Sequence, residues 1–349
     1  AMVAHGDNPP YLKDLFNGEG FELIEKECTN EKEYIDLLKD ADGALIYIHP
    51  PTSRKVMEET NHLKVISRGG VGVDSVDLDA ATELGICICN TPGINTTEVA
   101  DHAMALLLSL TRKIREQDAL VKKGYWADRT ELVHPYRSEL GRIAGNVVGI
   151  IGLGNIGKAF ATRIKGFGPE KIISYDPYID RTTADLFGVE LVGLDTLLKE
   201  SDFITLHAPS TEETHHIINE DAFNKMKSNC LLINCARGPL VDPSALFNAL
   251  KNNIIPGAGI DVTEKEPISS EDPLLSLDNL IITPHTAGSS GVSREVGTKK
   301  QAENVIKILK GEAPHGLANP EVIKTIALMK TKENNRWSNM DLFDTSLNV

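Results

Sequence analysis

The chain has 349 residues, 36 basic and 50 acidic side chains and a formal net charge of -14. With 41% hydrophobic and 25% charged residues it has the balance of a globular protein large enough for two domains. The charge disfavours nucleic acid and anionic membranes as partners, and no apolar run approaches the roughly 20 residues of a membrane helix.

Ala1-Met2 reads as a cloning remnant, which leaves the natural start open, and no secretory signal follows it. Gly43 to Ile48 and Leu63 to Ser67 read as strands, with a helix between them over Ser53 to Thr60. Ile86 to Cys89 reads as a further strand. Its Cys87 and Cys89 are expected to be buried strand residues, since a redox or metal pair needs a turn and usually a second pair. Five reduced cysteines without a signal point to the cytoplasm. A long helix is predicted from Thr97 to Gln117, opened by a capping threonine, and then a polar irregular stretch from Lys122 to Gly145. Trp126 and Tyr136 in that stretch read as partner contacts or local packing.

The α/β pattern then restarts. Strands are predicted at Asn146–Ile151, Lys171–Tyr175, Phe203–Leu206, Cys230–Asn234, Gly257–Ile260 and Leu280–Thr283, separated by helices. A helix from Ser293 to Lys310 returns the chain to the first unit. Such alternation specifies two Rossmann-like or flavodoxin-like α/β domains with parallel sheets and an active-site cleft between them. The expected division is 1–97 and 290–330 for a substrate domain, 98–289 for a cofactor domain, and 331–349 as a polar mobile tail or oligomer contact.

Gly152, Gly154 and Gly157 stand in G-x-G-x-x-G spacing. They follow an apolar strand, open a helix and precede Asp176 at the end of the next strand, the context that makes this fingerprint specific for a dinucleotide. The helix N-terminus suits a pyrophosphate. Asp176 suits ribose hydroxyls and would repel a 2'-phosphate, so NAD is expected rather than NADP.

Three motifs follow at later strand ends: Asn234-Cys-Ala-Arg-Gly238, Asp261-Val-Thr-Glu-Lys-Glu-Pro267 and Pro284-His-Thr-Ala-Gly288. Each alone would pass as a turn, surface or loop segment. Together, behind a complete fingerprint, they match the needs of 2-keto acid reduction. His285 is the expected acid/base, because histidine exchanges protons near neutral pH. Glu266 would hold the imidazole in place and favour its protonated form. Arg237 can fork onto a substrate carboxylate and its keto oxygen. No His/Cys/Asp cluster shows metal-ligand spacing, and none is needed for hydride transfer. His215-His216 reads as a solvated pair at a turn, and His102 as packing at the domain boundary.

From about Leu63 to Leu309 the chain resembles the D-isomer-specific 2-hydroxyacid dehydrogenase family. The resemblance is carried by Ser67-Arg-Gly-Gly-Val-Gly-Val-Asp-Ser-Val-Asp77, Asn90-Thr-Pro-Gly-Ile-Asn95, Val99-Ala-Asp-His102, Glu139-Leu-Gly-Arg-Ile-Ala-Gly145 and Leu206-His-Ala-Pro209. It implies the roles given above to Arg237, Glu266 and His285. It also implies carboxylate donors at the Val71 and Gly72 amides, pyrophosphate contacts at Asn155 and Ile156, an adenosine-side contact at His207, and nicotinamide-side contacts at Cys235, Asp261 and His285. A homodimer formed through the cofactor domains is implied as well. Asp101 stands where the family usually has glutamate. Phosphoglycerate dehydrogenases of the family usually carry arginine near Ile48, so the apolar residue there favours a small unphosphorylated 2-keto or 2-hydroxy acid, with Arg54, Arg68 or Arg112 as conceivable substitutes. The alternatives are 3-phosphoglycerate oxidation, or a non-catalytic NAD-sensing regulator like the corepressors of the family.

Overall fold

The computed structural model describes residues 2–3, 9–47, 50–333, 335–338 and 340. The chain forms two compact units, one from residues 1–95 with 290–349, the other from residues 96–289.

In the first unit five strands form a parallel sheet: β1 (Met2–Val3), β2 (Glu25–Lys26), β3 (Gly43–Ile46), β4 (Val65–Arg68) and β5 (Cys87–Cys89). Their spatial order is β2-β1-β3-β4-β5, the flavodoxin-like order. Strand side chains alternate between faces. Leu45, Val65, Cys87 and Cys89 pack on one face with Ala302, Val305 and Ile308 of the helix Gly291–Leu309. Ala44, Ile46, Ile66 and Ile88 pack on the other with Tyr34, Leu38 and Met57. All five cysteines are buried free thiols, in line with the strand reading of Cys87 and Cys89. Burial pushes the Cys87 thiol up to about 12.

The second unit holds seven parallel strands: β6 (Val147–Ile151), β7 (Lys171–Tyr175), β8 (Glu190–Leu191), β9 (Phe203–Leu206), β10 (Leu231–Asn234), β11 (Gly257–Ile260) and β12 (Leu280–Ile282). The order β12-β11-β10-β9-β6-β7-β8 reverses direction between β6 and β9. Open parallel sheets bind ligands at such a switch point, outside the carboxyl ends of the strands. β6, β9 and β11 are buried throughout, as sheets covered on both faces require. Val148 and Ile150 pack with the helices Thr96–Arg112 and Asn155–Ile164, while Val147 and Ile151 face the opposite cluster around Leu197, Phe223 and Leu246.

Three sequence expectations are corrected. The predicted Thr97–Gln117 helix begins at Thr96, so Thr97 lies inside its first turn. It is also broken at Lys113, which takes φ +48 and starts a second helix, Ile114–Lys122. The stretch 122–145 contains short helices at Tyr125–Asp128 and Tyr136–Glu139. Finally, the segment read as a polar tail contributes to the core of the first unit. Trp337 is 1% exposed and its indole N–H donates to the Gly85 carbonyl at 2.7 Å. Truncating such a side chain to Ala typically costs about 3–5 kcal/mol. Positions 341–349 lie outside the described residues.

Candidate active site and cofactor cradle

Each fingerprint glycine has a distinct steric environment. Gly152 takes φ +92, and a Cβ there would fall 2.6 Å from the Ala208 nitrogen, so the turn after β6 presses on the segment after β9. A Cβ on Gly157 would fall 2.2 Å from the Gly152 carbonyl oxygen, which brings helix and strand together. Gly154 has nothing within 4 Å of its Cβ position. It is the N-cap of the helix Asn155–Ile164, with no side-chain cap to occupy the first-turn amides. That is an open anion cradle with a positive dipole end.

Asp176 follows β7. Its carboxylate accepts from the Leu153 N–H at 2.7 Å and the Tyr178 N–H at 2.9 Å, which fixes a negative charge beside the glycine loop. His207 follows β9, stacks at a tilt on Phe160 with ring centroids 5.5 Å apart, and its Nε2 lies 3.0 Å from Thr205 Oγ1. Burial pushes this imidazole down to about 3, so it is neutral at physiological pH. Its buried Nδ1 has no hydrogen-bond partner among the described residues, an orphaned polar atom in the switch-point region. An open glycine cradle, a carboxylate at the second strand end and an orphaned ring nitrogen together fit a dinucleotide.

The catalytic candidates lie at the ends of β10, β11 and β12. The buried Asn234 side chain folds the first turn, accepting from the Ala236 N–H at 3.0 Å and donating to the Arg237 carbonyl at 2.9 Å. Arg237 is half-buried, and one of its terminal nitrogens donates to the Ala236 carbonyl at 2.7 Å. Cys235 beside it is a buried thiol, raised by burial and by the charge of Asp261.

Asp261, 2% exposed, organises the third turn. Its carboxylate accepts from Thr283 Oγ1 at 2.5 Å, the Thr286 N–H at 3.0 Å and the Ala287 N–H at 2.8 Å. Its carbonyl accepts from the His285 N–H at 2.8 Å. This network holds His285 at φ +54, a conformation that non-glycine residues keep only when their surroundings enforce it. Thr283 also lies 2.9 Å from His102 Nε2. His102, read from sequence as packing, therefore joins the Asp261 network.

His285 Nδ1 lies 2.6 Å from Glu266 Oε2, and Glu266 Oε1 accepts from the Thr263 N–H at 3.0 Å. Burial alone would raise the Glu266 carboxyl. The bonds from His285 and Thr263, with the charges of His285 and Arg237, outweigh it and hold the group below the usual range. Arg237, Glu266 and His285 are thus neighbours. Asn234, Thr263 and Thr283 were not singled out in the sequence. The one available signal was their place beside strand ends, where Asx and Thr side chains commonly tie turns.

In the first unit Val71 and Gly72 lie on the loop after β4. Asn90 Nδ2 donates to the Val71 carbonyl at 2.7 Å, and Thr91 grips Gly70 through its N–H at 2.9 Å and its hydroxyl. The Ile48 reading falls on positions 48–49, outside the described residues.

The sequence profile described as the NAD binding domain of D-isomer specific 2-hydroxyacid dehydrogenase matches residues 104–287. The chain is 41% identical over 309 residues to a glyoxylate reductase of Korarchaeum cryptofilum, an alignment covering 88% of this chain and 92% of that protein. The chain belongs to the D-isomer-specific 2-hydroxyacid dehydrogenase family. It is an NAD-dependent oxidoreductase acting on 2-hydroxy acids. It is also 41% identical over 303 residues to a D-3-phosphoglycerate dehydrogenase of Methanocaldococcus jannaschii, but there it spans 86% of itself and only 56% of the relative. Among solved structures, D-mandelate dehydrogenase of Rhodotorula graminis superposes with TM-score 0.82 at 27% identity, covering 91% of this chain and 96% of that one. No helix among the described residues of the dehydrogenase is long and apolar enough to cross a membrane.

Proposed function

We propose that this dehydrogenase reduces a short unphosphorylated 2-keto acid, such as glyoxylate or hydroxypyruvate, to the D-2-hydroxy acid. The observation that supports the acid/base part of this reading is the 2.6 Å pairing of His285 Nδ1 with Glu266 beside Arg237; the substrate class rests on the glyoxylate reductase relative.

NADH, when bound, supplies the hydride. Gly152, Gly154, Asn155, Ile156 and Gly157 would hold its pyrophosphate, Asp176 its ribose hydroxyls and His207 the adenosine side, with Cys235 and Asp261 at the nicotinamide end. The ionised Glu266 accepts from Nδ1–H, so the proton for the keto oxygen leaves from His285 Nε2. Glu266 then steadies the imidazolium that forms in the reverse direction. Arg237 bridges the substrate carboxylate and keto oxygen, which orients the acid and stabilises charge growing on that oxygen. The amides of Val71 and Gly72 are proposed as further carboxylate donors.

The glyoxylate reductase relative, matched over nearly its whole length, supports this substrate class. The phosphoglycerate dehydrogenase relative keeps 3-phosphoglycerate as a second reading. Of its conceivable phosphate partners, Arg54 is paired with Glu83 at 2.8 Å and Arg112 donates to the Gly141 carbonyl at 2.9 Å, while Arg68, at the end of β4 just before the Val71 loop, remains a candidate for that role. The buried free thiols support a cytoplasmic setting. The homodimer that the family resemblance implies is a further part of the proposal, which sedimentation would test.

The deciding assay follows NADH oxidation at 340 nm with glyoxylate, hydroxypyruvate, pyruvate and phosphohydroxypyruvate. Turnover on the first two supports the proposal. A clear preference for phosphohydroxypyruvate replaces it with the second reading, and NADH binding without turnover on any of them favours a sensor.

A further inference from the structure

Two imidazoles and a carboxylate that no step above uses converge in the second unit. His215 and His216 close the turn after β9, where the Thr214 and His215 N–H groups donate to the Thr211 carbonyl at 3.2 and 2.9 Å. His216 takes φ +50, and its N–H is anchored on the Pro239 carbonyl at 2.8 Å. The two rings stack with centroids 3.9 Å apart. Glu264 Oε1 lies 3.0 Å from His216 Nε2 and 3.7 Å from His215 Nε2. One ligand atom from each of the three residues lies within 4.8 Å of the others.

We propose that His215, His216 and Glu264 bind a divalent transition-metal ion. Two imidazole nitrogens and one carboxylate oxygen suit zinc, nickel, cobalt or copper, whereas calcium and magnesium favour all-oxygen shells. The donors are partly exposed, with side-chain accessibilities of 53%, 29% and 31%, so an ion can enter and keep water in its remaining positions. The rings are stacked, so binding one ion requires them to turn about χ2, a broad torsion in histidine, until both Nε2 lone pairs meet it.

A second carboxylate lies near the far nitrogen of one ring, beyond direct hydrogen-bond distance. Asp242 Oδ2 lies 3.9 Å from His216 Nδ1, while Asp242 Oδ1 caps the helix Pro243–Lys251 through the Ser244 and Ala245 N–H groups. A carboxylate behind the far ring nitrogen is the usual outer partner of a metal-bound histidine, fixing its tautomer and raising its basicity.

The ion would join segments that already touch. A Cβ on Gly238 would lie 2.0 Å from the Thr263 carbonyl oxygen, so the Arg237 turn presses on the loop that carries Glu264. Glu266 is two residues further along that loop. Binding the ion would therefore tether the loop that carries Glu266, a consequence that rests on the catalytic reading above. The binding itself does not.

The test is competition of the full chain with a chromophoric chelator for Zn²⁺, and separately for Ni²⁺, in wild type, H216N and E264Q. Asn is chosen at 216 because it tolerates the left-handed region. H315N, which breaks the His315–Glu303 pair at 2.8 Å, serves as the surface-histidine control. The expected result is one ion per chain, weakened at least roughly tenfold in both H216N and E264Q and unchanged in H315N. Retained NADH affinity in both variants shows that the fold persists. Less than one ion per chain in wild type, unchanged affinity in the two variants, or an equal loss in H315N would overturn the site. None of these readouts uses keto-acid turnover, so the site and the proposed reaction can fail separately.

Discussion

Glu266 and His285 are joined through Nδ1 at 2.6 Å, and this one bond fixes which ring nitrogen is available for chemistry. A carboxylate held below its usual range accepts, so Nδ1 carries hydrogen and Nε2 is left for the proton exchange proposed above. The backbone supports the same arrangement, because Asp261 gathers the Thr286 and Ala287 N–H groups and keeps His285 at positive φ.

Arg237→Ala is expected to raise KM for keto acids and lower kcat together, since the guanidinium is proposed to serve both binding and the charge of the transition state. Hydrogen bonds to charged groups contribute roughly 1.5–3 kcal/mol, so kcat/KM should fall at least tenfold. NADH affinity should be retained. Steady-state kinetics with glyoxylate, alongside fluorescence titration of NADH, separates these effects.

The fingerprint glycines should fail in different ways. Gly157→Ala places a methyl 2.2 Å from a backbone oxygen and should lower stability by roughly 1–3 kcal/mol, read as a shift in the urea midpoint. Gly154→Ala meets open space at an ordinary φ of -70 and should leave that midpoint nearly unchanged while weakening NADH binding. Equal losses of stability in the two variants would contradict the cradle.

Asp176 is expected to set the preference for NADH over NADPH. Asp176→Ser removes a charge that would repel a 2'-phosphate, so the ratio of the two kcat/KM values should move towards NADPH. The Leu153 and Tyr178 N–H groups also lose their acceptor, so a modest loss of stability should accompany the change.

His207 predicts an acid-sensitive stability. In the unfolded chain it takes up a proton near 6.5, in the folded chain only near 3. The unfolded state therefore binds more protons as pH falls between these values. The His207 contribution is full above about pH 6.5 and declines towards pH 3, by at most about 1.4 kcal/mol per pH unit. Urea midpoints at pH 7, 5 and 4 should fall less steeply in His207→Asn than in wild type, and parallel declines would contradict the assignment.

Much of this architecture is legible in the sequence because parallel strands are continuous apolar runs. Lys171–Tyr175, Phe203–Leu206 and Gly257–Ile260 are found end to end where the pattern places them. The tight turn at Gly152 and the close helix–strand packing at Gly157 follow from spacing and context. Other features depend on contacts distant in sequence. Nothing local announces the break at Lys113. Trp337 lies in a polar stretch, and only the packed structure supplies the Gly85 carbonyl for its indole N–H. Asn234, Thr263 and Thr283 act through hydrogen bonds that spacing cannot reveal. His215 and His216 read as a solvated pair because Glu264, 48 residues beyond His216, is invisible to local pattern.

The central claim is that the His285–Glu266 pair delivers the proton that accompanies hydride transfer. Its most direct test is the single-turnover rate of NADH oxidation by glyoxylate in wild type and His285→Ala, with NADH affinity measured on the same samples. A rate lower by roughly 10²–10⁴-fold with near-normal cofactor affinity is predicted. An unchanged rate in His285→Ala would contradict the account and place the acid elsewhere.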